Sequence, residues 1–300
     1  MKIDDNLNKK INSWWDANPF TLGISDKSSD LVGRIDFSKM NLDYFQEIER
    51  KFRKHCREGA QKNGAPLLSN LVDYNWLRGK KILDVATGSG FAMVAFIQGG
   101  ADVVGIDLTD YAIEQAKRNL TARKLKGTVI KMDAQQMNFK NESFDFVNAW
   151  GCLMHMPDTQ KAINEIYRVL KPGGKTLAYM YNKSSWPFWF NLIFLRGILL
   201  GQLIRYRFDI DRLTSRFSDG FSVGGNPLAK FYTPRQTAAF FKNAGFLKIE
   251  AFPWQLPREP DNWPMKKFPI FRYLPQKIKN FMSKRWGYGL IVKAEKIHDS

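Results

Sequence analysis

From residue 79 to residue 182 short apolar runs alternate with helical stretches, and no other feature restricts the fold of this chain as much. Lys81-Ile82-Leu83-Asp84-Val85-Ala86 reads as a buried strand ending at the turn Thr87-Gly88-Ser89-Gly90. A helix then runs through residues 91–97 and stops at Gly99-Gly100. The next strand covers 102–107, and Thr109 or Asp110 caps a helix from Ala112 to about Arg123. Strands at 128–133 and 144–150 follow. A helix over 159–170 carries Ala162, Ile163, Ile166, Val169 and Leu170 on one face, Lys171-Pro172-Gly173-Gly174 stops it, and a fifth strand covers 176–181. This alternation predicts a mostly parallel sheet with helices on both faces, which binds ligands beyond the carboxyl ends of its strands.

The turn at 84–90 lies at such an end. Gly88 and Gly90 let a ligand approach the backbone, and the helix start offers free N–H groups. Asp107 stands nineteen residues after Gly88, where a carboxylate suits a ribose hydroxyl. A Gly-x-Gly pair alone marks only a tight turn; with the strand, the helix and the placed acid it marks a nucleotide-type site. A dinucleotide site wants glycine or alanine three residues after Gly90, where Met93 stands. The Asp84 carboxylate would repel a pyrophosphate but suits an ammonium group.

Leu83-Asp84-Val85-Ala86-Thr87-Gly88-Ser89-Gly90 resembles the first motif of class I S-adenosylmethionine-dependent methyltransferases, in the branch similar to ubiquinone and menaquinone methyltransferases. Gly105-Ile106-Asp107-Leu108-Thr109 resembles the second motif and Met132-Asp133-Ala134-Gln135 the third. Phe144-Asp145-Phe146-Val147 and Leu170-Lys171-Pro172-Gly173-Gly174 resemble the later core motifs, so the likeness spans about residues 79–181. It implies an α/β, Rossmann-like sheet of seven strands with the last antiparallel, completed by a helix at 234–243 and strands at 247–252 and 288–295. It also implies S-adenosylmethionine as cofactor. Ala86, Thr87, Gly88, Ser89 and Gly90 would then shape the loop under the methionine part, with Asp84 near its amino group. Asp107 would bind the ribose, Leu108 and Ala134 would line the adenine, and Asp133 with Gln135 would meet its edge. Ala86 replaces the commoner glycine.

Trp150 to Asp158 follows the fourth strand, where an acceptor would meet the methyl group. Trp150 reads as a wall of the cofactor site. His155 reads as a residue that orients the loop or touches cofactor backbone, and it is the candidate base where the acceptor loses a proton. The related branch often carries two histidines here; this chain has Met154-His155. Cys152 reads as a small buried side chain. Methyltransferases acting on exocyclic amines of nucleic acid bases resemble an Asn/Asp-Pro-Pro-aromatic motif here, and Asn148-Ala149-Trp150-Gly151 lacks it.

The remainder is read by texture. Residues 1–78 form a helical extension, with the aromatic group around Trp14-Trp15 and a helix from about 41 to 58. Residues 79–300 form the methyltransferase domain, interrupted at 183–230 by an aromatic insertion. Its run from Ser185 to Leu200 is too short and too broken to span a bilayer. It reads as a lid over the acceptor, or as a helix on a membrane surface with Arg196, Arg205 and Arg207 toward headgroups. Residues 219–228 and Tyr232-Thr233-Pro234 loosely resemble a stretch of methyltransferases linked to glycan and lipid-precursor pathways. Residues 266–285 carry seven basic residues and no acid. The net charge of +17 attracts polyanions and also serves solubility. The expected partners are a small amphipathic or anionic acceptor and an anionic membrane surface, with nucleic acid the weaker reading. No metal is expected. Two cysteines, Cys56 and Cys152, and a polar start suit free thiols and the cytoplasm.

Overall fold

The computed structural model describes residues 5–25, 31–55, 65–254 and 275–297. Its centre is a sheet of seven strands. The strands are β1 (Lys81–Val85), β2 (Asp102–Asp107), β3 (Thr128–Lys131), β4 (Phe144–Trp150), β5 (Leu170–Tyr181), β6 (Lys248–Trp254) and β7 (Gly289–Glu295). They lie in the order β3-β2-β1-β4-β5-β7-β6. The first five are parallel, and β7 runs antiparallel to both its neighbours. The chain order reverses between β1 and β4, so the ends of β1, β2 and β4 open onto one crevice.

Alternating side chains divide the core. Ile82, Val103, Phe146, Leu177 and Ile291 face one side of the sheet, with Phe96 and, from the helix Leu42–His55, Phe45, Ile48 and Phe52. Leu83, Val104, Val147, Ala178 and Val292 face the other, against Ile163, Ile166 and Phe241. Burying each such side chain stabilises the fold by about 1.5–3 kcal/mol. The helices are α1 (Asp5–Ala17), α2 (Leu42–His55), α3 (Tyr74–Leu77), α4 (Phe91–Gln98), α5 (Asp110–Ala122), α6 (Thr159–Val169), α7 (Gln202–Arg205), α8 (Ile210–Phe217), α9 (Pro234–Asn243) and α10 (Gln276–Trp286). Thr109 caps α5 by accepting from the Ala112 N–H, and Asp158 caps α6 by accepting from that of Lys161. Met93 of α4 packs against β2 because the strand, not the helix, carries the glycine: a Cβ on Gly105 would lie 3.0 Å from the Met93 sulfur.

Two expectations change. Residues 171–174 are not a loop after α6; the helix passes directly into β5, which starts at Leu170. Leu170 pairs with Phe144 and Lys175 with Phe146, so the intervening residues bulge from the strand. The chain just beyond β7 supplies their partners: Gly173 N–H donates to the Lys296 carbonyl at 2.6 Å, and Lys296 N–H to that of Gly174 at 2.9 Å.

Within the insertion Pro187–Leu199 form a helix of thirteen residues with π-type hydrogen bonding. No helix among the described residues is long and apolar enough to cross a membrane. Arg196 does not reach outward. It is buried, with its guanidinium carbon 4.5 Å from the Phe217 ring centre and 4.8 Å from that of Phe221. Burial pulls its pKa down to about 10, and Arg216 beside it acts the same way. Arg205 and Arg207 are exposed.

Residues of the N-terminal region join the crevice directly. Asp16 of α1 accepts from the Tyr111 N–H at 2.9 Å, on the first turn of α5, and pairs with Arg34 at 2.6 Å. The Tyr111 hydroxyl donates to the Ile35 carbonyl, and Gln115 Nε2 donates to the Tyr44 hydroxyl. Helix α2 is described to His55; the expected end at 58, Cys56 and residues 266–274 of the basic stretch lie outside the described residues.

Candidate active site

Beyond Val85 the backbone turns sharply. Ala86 has φ +54°, Gly88 +54° and Gly90 +75°. The turn is held to β2 by Thr87 N–H donating to the Ile106 carbonyl at 2.9 Å and closed by Gly90 N–H donating to the Thr87 carbonyl at 2.8 Å. A left-handed backbone crowds the Ala86 Cβ, which is why glycine is the easier residue there. Ala86→Gly is expected to raise stability by ~1 kcal/mol in urea unfolding; a loss of stability would contradict this strain.

Asp107 closes the other side. Its carboxylate accepts from Gly88 N–H at 3.1 Å, Thr109 N–H at 3.0 Å and the Thr109 hydroxyl at 3.0 Å. Three donors leave acceptor capacity on a carboxylate that lines the cavity. Asp84, fully enclosed, accepts from the Thr87 hydroxyl at 2.6 Å and from Asn148 Nδ2 at 2.7 Å. Burial outweighs these donors and pushes the Asp84 pKa from 3.8 to about 6. Burial raises that of Asp107 as well.

The pH consequence has a definite sign. A carboxyl whose folded pKa exceeds its unfolded value adds stability at low pH and loses it as pH rises through the folded pKa. Asp84 is therefore expected to contribute a loss of stability to the ligand-free protein between about pH 4 and pH 6, and Asp84→Asn to remove that contribution from the slope. Thermal melts of both proteins across this range check it; equal slopes would contradict the burial of Asp84.

These groups border a cavity of about 480 Å³. Its lining includes Asp84, Ala86, Thr87, Gly88, Ser89, Asp107 and Leu108 from the ends of β1 and β2, together with Trp150, His155, Tyr179, Tyr181 and Asp219. The insertion contributes Trp186, Phe190 and Leu192, and α1 contributes Ile11 and Trp15. A narrower slot of about 50 Å³ shares Ala86, Asp107, Leu108 and His155 with the cavity and continues past Met132, Asp133, Ala134 and Gln135. Gly90 borders neither. A Cβ there would meet that of Ala116 at 3.3 Å, so this glycine lets α4 approach α5. Gln135 is engaged with protein: its Oε1 accepts from the Asp158 N–H at 2.9 Å. Trp150 lies as a wall, stacked on Tyr179 with ring centres 4.9 Å apart.

His155 is buried on a single 3-10 turn, Leu153–His155. Its Nδ1 lies 2.7 Å from the Leu228 carbonyl, an acceptor, so Nδ1 carries a proton. That leaves Nε2, which makes no hydrogen bond and lies 3.4 Å from Asp219 Oδ2. The Tyr181 hydroxyl donates to the same Asp219 oxygen. Trp15 packs edge-on to the imidazole with ring centres 5.0 Å apart. The Lys230 ammonium holds the turn by donating to the carbonyls of Met156 and Pro157. Asp219, Tyr181, Trp15 and Asn148 belong to this site although no motif marks them; the aromatic group around Trp15 and the 219–228 stretch were their only signals. Cys152 is buried, its thiol pushed up first by burial and then by the Asp84 and Asp107 carboxylates.

The residues fit S-adenosylmethionine. Two carboxylates, at Asp84 and Asp107, suit an ammonium group and a ribose diol and would oppose a pyrophosphate. The slot between Leu108 and Ala134 has the apolar walls a flat base requires, with Asp133 and Gln135 along it. Asn148 Oδ1, buried and without a hydrogen bond, lies in the same wall as Asp84.

Residues 83–178 match a family model described as a methyltransferase domain. This segment is an S-adenosylmethionine-dependent methyltransferase domain. The chain is 37% identical over 108 residues to phosphoethanolamine N-methyltransferase 2 of Caenorhabditis elegans, covering 35% of this chain and 25% of that protein. It is 28% identical over 171 residues to a demethylmenaquinone methyltransferase of Streptomyces avermitilis, covering 57% of this chain and 69% of that one. The chain thus spans about a quarter of the first relative's length and about two thirds of the second's. A solved S-adenosylmethionine-dependent methyltransferase of Thermotoga maritima shares the fold, with a TM-score of 0.50 at 16% identity over 86% of this chain and 98% of that one.

Proposed function

We propose that the chain transfers a methyl group from S-adenosylmethionine to a hydroxyl or amine on a small, largely apolar acceptor held under the insertion, which acts as its lid. The observation that carries this reading is His155 Nε2: buried, without a hydrogen bond, and in the wall shared by the cofactor slot and the larger cavity. When bound, S-adenosylmethionine supplies an electrophilic methyl carbon on a sulfonium. The methyl carbon would pass to the acceptor oxygen or nitrogen as its bond to sulfur breaks and S-adenosylhomocysteine leaves, and His155 would take the acceptor's proton at Nε2. Asp219, at 3.4 Å, stabilises the imidazolium, and the Tyr181 hydroxyl holds that carboxylate in place. Trp15, Trp150 and Phe190 keep water from the reacting atoms.

The cavity's chemistry narrows the acceptor. Among the described residues its lining includes Asp84, Asp107 and Asp219 but no lysine or arginine, which disfavours a buried phosphate or carboxylate. Aromatic and aliphatic side chains dominate the rest. An amphipathic acceptor with a neutral reacting end suits this lining better than an anionic one, and lipid or quinone precursors have that character. The relative named for demethylmenaquinone is consistent with it. Polynucleotide would meet the three carboxylates, so the positive charge serves another surface.

Incubation of the protein with radiolabelled S-adenosylmethionine and either an organic-soluble cell extract or total RNA tests the reading. Label is expected in the organic-soluble fraction. Label in RNA alone would overturn the acceptor assignment.

A further inference from the structure

The lid helix, Pro187–Leu199, has two apolar faces. Trp186, Phe190 and Leu192 line the cavity. Phe194, Ile198, Leu199, Leu200, Ile204 and Phe208, from the end of the lid helix through the turn after α7, are 44–73% exposed. Helix α7 folds back on the lid: a Cβ on Gly197 would lie 2.9 Å from the Leu203 side chain. These side chains therefore share one compact tip. Arg207 and Phe208 both adopt left-handed backbone, with φ +53° and +60°, a conformation L side chains rarely take. The turn is fixed by Phe208 N–H donating to the Leu203 carbonyl at 2.7 Å, and it presents Phe208 to the outside.

Arginine leads the charge at this tip, and the first exposed acid after it is Asp211 on the first turn of α8. Arg205 and Arg207 are exposed, and the sequence carries no acidic residue between Glu165 and Asp209. Asp209 is itself held by Arg212 at 3.3 Å. A stacked series of rings connects the tip to the cavity: Phe194 lies 5.9 Å from Phe190, and Phe190 lies 4.6 Å from Trp186. An apolar tip flanked by arginines matches the interfacial zone of an anionic bilayer, where apolar side chains enter the acyl boundary and guanidinium groups meet headgroups. It does not match a purely electrostatic partner, which would leave six large apolar side chains without a role.

From these observations we infer that the tip formed by the end of the lid helix and α7 docks on the surface of an anionic phospholipid bilayer. Docking brings the lid, whose inner face walls the cavity, to the phase in which an apolar acceptor dissolves. The part of the inference concerning acceptor delivery rests on the proposed function; the docking itself does not.

Flotation with vesicles tests the docking. The full chain is mixed with vesicles of phosphatidylcholine alone or of phosphatidylcholine with phosphatidylglycerol and centrifuged through a density gradient. The wild-type protein is expected to float with the anionic vesicles, and less so as salt rises. I204S/F208S is expected to partition about a hundredfold less. R205Q/R207Q is expected to lose roughly thirtyfold on anionic vesicles and little on neutral ones. None of these four residues borders the cavity, so calorimetric binding of S-adenosylhomocysteine should be unchanged in both variants, which separates docking from the cofactor site. Wild-type protein that stays at the bottom with every vesicle would overturn the inference. So would a wild-type dimer that I204S/F208S converts to monomer while neither protein floats, because the tip would then be an interface between copies of this chain.

Discussion

Replacing His155 by Asn is expected to lower kcat by about a hundred- to ten-thousandfold, the range over which a positioned base acts, while the affinity for S-adenosylhomocysteine stays within about twofold. Asparagine is the informative substitution because its amide NH₂ can take over the donor role of Nδ1 to the Leu228 carbonyl, 2.7 Å away. It removes Nε2, the atom that makes no hydrogen bond. The turn Leu153–His155 keeps its other supports, the Lys230 ammonium among them. Equal losses of kcat and cofactor affinity would make His155 a support of the loop instead. Asp219→Asn should reproduce part of the kcat loss, since the imidazolium would lose the carboxylate at 3.4 Å.

Asp107→Ala is the second large effect. The carboxylate faces the cavity at the end of β2 and is already ordered by three donors from Gly88 and Thr109. A ribose hydroxyl donating to it makes charge-assisted hydrogen bonds to a group that loses no further freedom on binding. Their loss should weaken S-adenosylmethionine binding by ~2–3 kcal/mol, about thirty- to a hundred-and-fiftyfold in Kd. The substitution also leaves the Gly88 and Thr109 N–H groups without their acceptor, so the melting temperature should fall. Asp107→Asn separates the two effects: it keeps an acceptor for one N–H but removes the charge. Calorimetry and thermal melts on both variants check this. Unchanged affinity in Asp107→Ala would mean that the ribose lies elsewhere.

Much of the sheet was legible because its strands are buried on both faces. Continuous runs such as Ile82 to Val85 and Val103 to Ile106 admit no half-exposed reading, and the turns between them carry glycine or a capping threonine. The antiparallel last strand followed from the family resemblance rather than from its own residues. Residues 171–174 read locally as a helix stop followed by a loop. They lie in a strand because Lys296, more than a hundred residues later, supplies both their donor and their acceptor. Local pattern cannot express such a partner.

The same distinction divides the site. The cofactor side is contiguous in sequence: the loop from Asp84 to Gly90 and the placed Asp107 carry their spacing with them. The acceptor side is assembled from α1, the ends of β4 and β5, the His155 turn and the segment after α8. Asp219 meets His155 only because the insertion folds back over the crevice, and the loose resemblance of residues 219–228 says nothing of that contact. Arg196 shows the converse. Its sequence neighbours suggest a headgroup contact, whereas Phe217 and Phe221, some twenty residues on, take up its guanidinium.

The most direct measurement is a calorimetric titration of the wild-type chain with S-adenosylhomocysteine. The account predicts a single saturable site with a Kd in the micromolar range, weakened by Asp107→Ala and unchanged by His155→Asn. No binding heat below about 1 mM, with the protein folded by circular dichroism, would contradict the assignment of the slot and its neighbouring carboxylates to the cofactor.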